Sequence, residues 1–140
     1  MRDAEKTIGG IIDKSKVTYL GSVDSDGFPN IKAMLVVQGR EGLHTHWFST
    51  NTSSLHVAQF RGNPKACVYF CDRRFYRGAM LRGTIEIMED AATKERFWKK
   101  DDEQYYSLGV TDPDYCILKF TAMDCRYYSG LKSENFAIAQ

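Results

Sequence analysis

Apolar and polar positions alternate with a period of two along most of this chain, and three segments switch to the three-and-four spacing of a helix. The first helix is predicted over Ala4–Lys16, where Ile8, Ile11 and Ile12 make one apolar stripe that Gly9 and Gly10 weaken. Between Val17 and Val23, residues Val17, Tyr19, Gly21 and Val23 alternate against Thr18, Leu20 and Ser22. Asp24-Ser25-Asp26-Gly27 then supplies a tight turn into a second strand, Pro29–Gln38. Gly39–Gly42 makes the next turn, so the strand Leu43–Ser49 is expected to continue a three-stranded meander. A short helix follows the hydroxyl run and ends at Gly62, with Pro64 behind it.

The second half repeats the pattern. Lys65–Cys71 is apolar on both faces, which predicts a strand buried on both sides. After the Asp72-Arg73-Arg74 turn, Phe75–Met88 sends Ala79, Leu81, Gly83, Ile85 and Ile87 one way and Arg82, Thr84 and Glu86 the other. Asp90 caps a helix from Ala91 to about Lys100, with Phe97 and Trp98 as packing residues and Glu95–Lys99 as an i,i+4 ion pair. Residues 101–114 are polar and turn-rich and receive no assignment; a mobile loop beside a site and a solvated connection both fit. Tyr115–Tyr128 is the last long strand, and Gly130 opens a tail from which Phe136 and Ile138 can dock. These elements imply a mainly β (α+β) fold, a small six-stranded antiparallel barrel with peripheral helices.

Composition sharpens this picture in two places. With 140 residues, 43% of them hydrophobic, the chain reads as one domain over residues 1–140. A formal net charge of +1 and the lack of a dense Lys/Arg block argue against a nucleic-acid partner. The start, Met1-Arg2-Asp3-Ala4-Glu5-Lys6, is charged and leads into no unbroken apolar run, so no membrane span is expected and a cytoplasmic protein is. Cys67, Cys71, Cys116 and Cys125 lack paired zinc spacing and read as buried thiols, while His44 and His46 fall short of a metal-ligand set, so no metal is expected.

The stretch with most chemistry is Ser49-Thr50-Asn51-Thr52-Ser53-Ser54, between a strand and a helix. The first backbone N–H groups of a helix have no intrahelical acceptor, and with the helix dipole and neighbouring hydroxyls they suit an anionic group such as phosphate. Ser, Thr and Asn are equally the ordinary N-cap residues of helices that bind nothing.

The order of pieces carries more than any one of them: a D-x-D-G turn, a strand holding Lys32-Ala33-Met34, F-S-T-N-T-S-S, then a helix ending in N-P. This order resembles the pyridoxamine 5'-phosphate oxidase-like family of FMN-binding split barrels, and within it the general stress protein subgroup. The resemblance runs from the first helix to the closing strand with Tyr127 and Tyr128. It implies a split β-barrel that binds FMN as a homodimer, with the cofactor at the subunit interface. It also implies that Lys32 meets the flavin phosphate and that the backbone of Ala33, Met34 and Leu35 runs along the isoalloxazine. Ser49 and Thr50 match the family's hydroxyl-rich strand end, and Ser54, Leu55 and His56 match its Ser-basic-basic helix start. Leu55 replaces a cation there, and His56 is expected to supply charge only when protonated, tightening FMN binding toward pH 6. Tyr128 matches the family's Trp near the flavin edge.

The true vitamin oxidases also carry a lysine where this chain has Val37, and an R-L-H-D-R-like run where it has Leu131-Lys132-Ser133-Glu134-Asn135-Phe136. Pyridoxamine phosphate oxidation is therefore disfavoured. The leading expectation is an FMN-dependent redox protein of the stress response with no assigned catalytic side chain and an unidentified substrate. The alternatives are a non-catalytic flavin or haem module on the same barrel, and a cofactor-free barrel working through protein contacts.

Overall fold

The computed structural model describes residues 3–140. Asp3 caps helix α1 (Ala4–Lys14) by accepting from the Lys6 amide, and Ser15 ends it just before the expected boundary. Ile8, Ile11 and Ile12 are buried, as their spacing predicts. Gly9 has a reason that spacing does not show. Glu5, Gly9 and Asp13 stack on one face of α1, and Arg40 lies across Gly9, bonding Glu5 at 2.9 Å and Asp13 at 2.8 and 2.9 Å. A Cβ on residue 9 would meet the Arg40 guanidinium at 2.7 Å. The same contact holds the Asp13 carboxyl below its ordinary range.

Strands β1 (Thr18–Val23) and β2 (Pro29–Met34) form the predicted hairpin. In its turn Gly27 takes φ +84° while the Asp24 side chain accepts from the amides of Asp26 and Phe28. The meander does not follow. β2 stops at Met34, and Gly39–Glu41 is a short strand, β3, where the sequence predicts a turn. β3 pairs with β4 (Thr45–Asn51), and β4 pairs with the last long strand at the other end of the sheet. Three residues are too few to show a period of two.

Helix α2 (Leu55–Gly62) leads to β5 (Lys65–Asp72) and β6 (Arg77–Met88); α3 (Ala91–Phe97) and 3₁₀ turns at Lys100–Gln104 and Gly109–Thr111 precede β7 (Tyr115–Ser129) and β8 (Lys132–Ala137). The antiparallel order is β2-β1-β5-β6-β7-β4-β3, with β8 also on β7, an α+β split-barrel fold. Its eight strands exceed the expected six by β3 and β8. The tail becomes a strand because β7 offers it a hydrogen-bonding edge, not because its polar sequence buries anything. α3 ends at Phe97, which leaves Lys99 outside the helix, and the Glu95–Lys99 pair is not made among the described residues.

The core joins the α1 stripe to Leu20, Val68, Phe70, Leu81, Leu118 and Phe120, with Val57 and Phe60 from α2. A separate aromatic lobe gathers Trp47, Phe97, Tyr115 and Ile117, packed by Trp98 and Tyr106. β5 is buried on one face only: Val68 and Phe70 point inward, while Cys67, Tyr69 and Cys71 are half-buried on the other. Two of the four thiols are thus not core, whereas burial pushes those of Cys116 and Cys125 up to about 12.

His46 is fully buried against Phe70 and Phe120, its Nε2 lying 2.9 Å from the Leu43 carbonyl oxygen. Burial pushes its pKa down to about 4. The unfolded chain therefore binds more protons between about pH 4 and 6.5, and this stabilisation, full above pH 6.5, is lost as pH falls to 4. Urea unfolding should show about 3 kcal/mol less stability at pH 4 than at pH 7 from this residue, and His46→Gln should flatten that slope.

β6 and β7 shift register between Arg82 and Gly83, where a Cβ would collide with the Thr121 carbonyl oxygen. Backbone cannot yield there as a side chain can, so Gly83→Ala should lower unfolding free energy by about 2 to 3 kcal/mol. Gly10→Ala, in α1 with nothing within 4 Å of its Cβ, should raise it by about 0.5 to 1 kcal/mol.

Candidate phosphate cradle and flavin strand

The hydroxyl run divides in two when folded. Thr52 and Ser53 turn toward Asp114: its Oδ1 accepts from Thr52 Oγ1 at 3.0 Å and from the Ser53 amide at 2.8 Å, and its Oδ2 accepts from Ser53 Oγ at 3.1 Å. The Thr52 amide also donates to the Asp114 carbonyl. These donors hold the Asp114 carboxyl below its usual range, the Ser53 amide most of all. They are engaged, and the carboxylate beside them is no neighbour for an anion. Tyr106 adds a further tie, donating its hydroxyl to the Thr50 carbonyl at 3.0 Å.

Thr50 and Ser54 turn the other way, onto His56. Its Nε2 lies 2.9 Å from Thr50 Oγ1 and 3.2 Å from Ser54 Oγ, with Ser54 as the N-cap of α2, accepting from the Val57 amide. The Leu55 and His56 amides, first in the helix, have no acceptor among the described residues. Ser22 of β1 donates to Gln59 of α2, and two residue pairs along that hairpin Leu20 pairs with Lys32, so α2 is pinned to β1, the neighbour of the strand that carries the lysine. Lys32 is exposed and makes no ion pair among the described residues. Its charge reaches His56.

That charge, together with the larger effect of burial, pushes the His56 pKa down to about 4. The imidazole is therefore neutral at pH 6, and the expectation that it turns cationic there is corrected by its burial. A neutral ring acts here by orienting two hydroxyls.

The other predicted residues separate. Ala33 is exposed and pairs with Tyr19, Leu35 is exposed just past the end of β2, and Met34 turns into the core, so a ligand along this segment meets its backbone. Ser49 lies on the opposite face of β4 from Thr50, against Tyr115 in the aromatic lobe, and is not brought into the cluster. Leu55 points outward, 74% exposed. Tyr128 stands at the far end of β7 from the cradle: Thr50 pairs with Cys116, while Tyr128 pairs with Gly78 and stacks edgewise on Tyr69. His44 bonds Thr45 and Gln140 through its two nitrogens. Sequence reading missed Asp114 and Tyr106, which lie 61 and 56 residues from their partners Ser53 and Thr50; no local pattern could have found them.

The donor set suits a phosphate monoester. A free ammonium, two hydroxyls on a neutral imidazole and two open helix amides converge on one side of α2, and no carboxylate among the described residues pairs with that ammonium.

The profile of the pyridoxamine 5'-phosphate oxidase family matches residues 4–129, and the chain belongs to that family. It is 42% identical to a solved protein of Clostridium acetobutylicum described as related to general stress protein 26 of B. subtilis, in the pyridoxinephosphate oxidase family. That match covers 96% of this chain and 94% of the other, with a TM-score of 0.87. General stress protein 26 of Bacillus anthracis is 21% identical with a TM-score of 0.77 over 96% of this chain and 98% of its own, and shares the fold. So does a NimC/NimA family protein of Clostridium acetobutylicum, at 20% identity and a TM-score of 0.75 over 97% and 94%. No curated protein matches the chain. No helix among the described residues is long and apolar enough to cross a membrane.

Proposed function

We propose that this chain is an FMN-binding flavoprotein of the general stress protein group with a redox role. The observation that carries the reading is the convergence of Lys32, Thr50, Ser54 and His56 on the first turn of α2, beside an exposed strand whose backbone is open. Lys32, the two hydroxyls and the Leu55 and His56 amides would hold the phosphate, and the Ala33–Leu35 backbone would lie along the ring system. FMN, when bound, supplies electron-transfer chemistry that protein side chains lack. The chain's own part is to fix the phosphate, to keep His56 neutral so that it orients the hydroxyls, and to hold the cradle loop through Asp114 and Tyr106.

Tyr128 joins such a site only from a second copy, since in its own chain it stands at the other end of β7. The reading therefore includes a homodimer with the flavin between subunits. The open sheet face supports it: Tyr19, Ile31 and Ala33 are exposed there beside half-buried Cys67 and Tyr69, with Ile31 at 79% exposure. Light scattering at micromolar concentration should give the mass of two chains.

The visible spectrum of the freshly purified or FMN-reconstituted protein is the first test, since it separates flavin from haem and from an empty protein. Fluorescence titration should then give tighter binding of FMN than of riboflavin, and Lys32→Ala should cost about 1.5 to 3 kcal/mol of FMN affinity. Riboflavin binding as tightly as FMN would remove the phosphate role.

The same titration between pH 5 and 7 carries a sign. His56 stays neutral across that range, while the phosphate gains its second charge near about pH 6. FMN affinity should rise with pH, the reverse of the trend a cationic His56 gives, and His56→Gln should keep the direction.

A further inference from the structure

A concave surface between α1 and the barrel uses none of the groups assigned to the flavin. We propose that this groove binds a small organic anion with an apolar body, such as an aryl phosphate or an aromatic carboxylate. The proposal does not rest on the flavin reading, although Tyr19 at the edge of the groove also belongs to the sheet face assigned there to a second copy.

The groove has a volume of about 660 Å³, within the range of small-molecule sites. Lys6 and Lys14 of α1 and Lys16 beyond it line one wall, and Arg73 of the β5–β6 turn and Arg77 at the start of β6 line the other. Asp72 is the one carboxylate in the lining, and it is engaged by Arg77 at 2.7 Å. Lys6, Lys14, Lys16 and Arg73 have no carboxylate within ion-pair distance among the described residues. The lining thus carries five cations and one anion in a chain whose formal net charge is +1. Helix-dipole complementarity accounts for Lys14 in the last turn of α1. It does not account for Lys6 in the first turn, where the dipole opposes a cation, or for the arginines across the groove. Like charges around one concavity repel, and a bound anion relieves them.

Between the walls the surface is apolar. Ile11, Val17, Tyr19 and Cys71 line it, and Val17 and Tyr19 are left 42% and 43% exposed. Gly10 supports the same reading. Glycine weakens a helix interior, yet a Cβ here would meet nothing within 4 Å, so no packing neighbour requires it. Residue 10 lines the groove, and its missing side chain keeps that wall low. Positive walls over an apolar floor select a ligand that is both charged and apolar. Concavity on this scale fits a small molecule better than a polymer, which a net charge of +1 would attract poorly.

Calorimetric titration of the full chain, loaded with one equivalent of FMN so that the phosphate cradle is filled, with phenyl phosphate, inorganic phosphate and phenol tests both halves of the proposal. Phenyl phosphate should bind at least about tenfold more tightly than either fragment, and more weakly as salt rises. Gly10→Leu, which fills the groove and keeps every charge, and Lys14→Gln/Lys16→Gln, which keeps its shape, should each weaken phenyl phosphate about tenfold or more. Circular dichroism melts should show both variants folded. Full affinity in Gly10→Leu would overturn the proposal. So would the absence of phenyl phosphate binding to the FMN-loaded chain, since that would put the ligand in the phosphate cradle.

Discussion

Strand β7 is the constraint from which the rest of the architecture follows. One of its edges is occupied by β6 over all twelve residues of that strand, and its other edge is shared end to end by β4 and β8. Fixing β7 therefore fixes three strands at once. The register is not free to slide, because the shift at Gly83 is closed by the Thr121 backbone and admits no side chain. Once β4 is placed, its last residues carry the cradle loop to the start of α2, and the β1–β2 hairpin closes on α2 from the far edge of the sheet. The proposed phosphate site, drawn from β2, β4 and α2, is thus a product of sheet order rather than of local sequence.

The parts legible in the sequence are those with a local cause. The α1 stripe, the Asp24–Gly27 turn, the alternating long strands and the N-cap of α2 each follow from periodicity or from one residue's backbone preference, and each is present. Strand partners were not legible, because alternation says that Thr45–Asn51 is a strand and nothing about whether it joins β2 or β7. β8 carries a polar sequence whose stabilising interaction is a backbone ladder, which leaves no mark on side-chain pattern. Gly9 reads in sequence as a flaw in a helix and in the fold as the clearance for Arg40. At the site, residue types and order pointed to Lys32, Thr50, Ser54 and His56. The sequence could not say that His56 is buried, and burial reverses its assigned role from charge to geometry.

Hydroxyls in a row invite the assumption that all of them serve one ligand. Here the alternation of a strand end and the turn of a helix start send them to different places: Ser49 to the aromatic lobe, Thr50 and Ser54 to His56, Thr52 and Ser53 to Asp114. A motif of six polar residues thus supplies two hydroxyls to the cradle, while two others brace it.

The bracing joins regions that sequence separates. Lys94, buried in α3, donates to the Asp112 carbonyl, Asp112 accepts from the Leu108 and Asp114 amides, and Asp114 and Tyr106 grip the cradle loop. Residues 101–114 are polar and largely exposed, the composition that ordinarily opens early in local unfolding. In this fold they cannot open alone, because doing so strips Thr50, Thr52 and Ser53 of partners. These bonds tie the cradle loop, the connecting segment and the end of α3 together, so a ligand held at the first turn of α2 would slow amide exchange in a segment it does not touch.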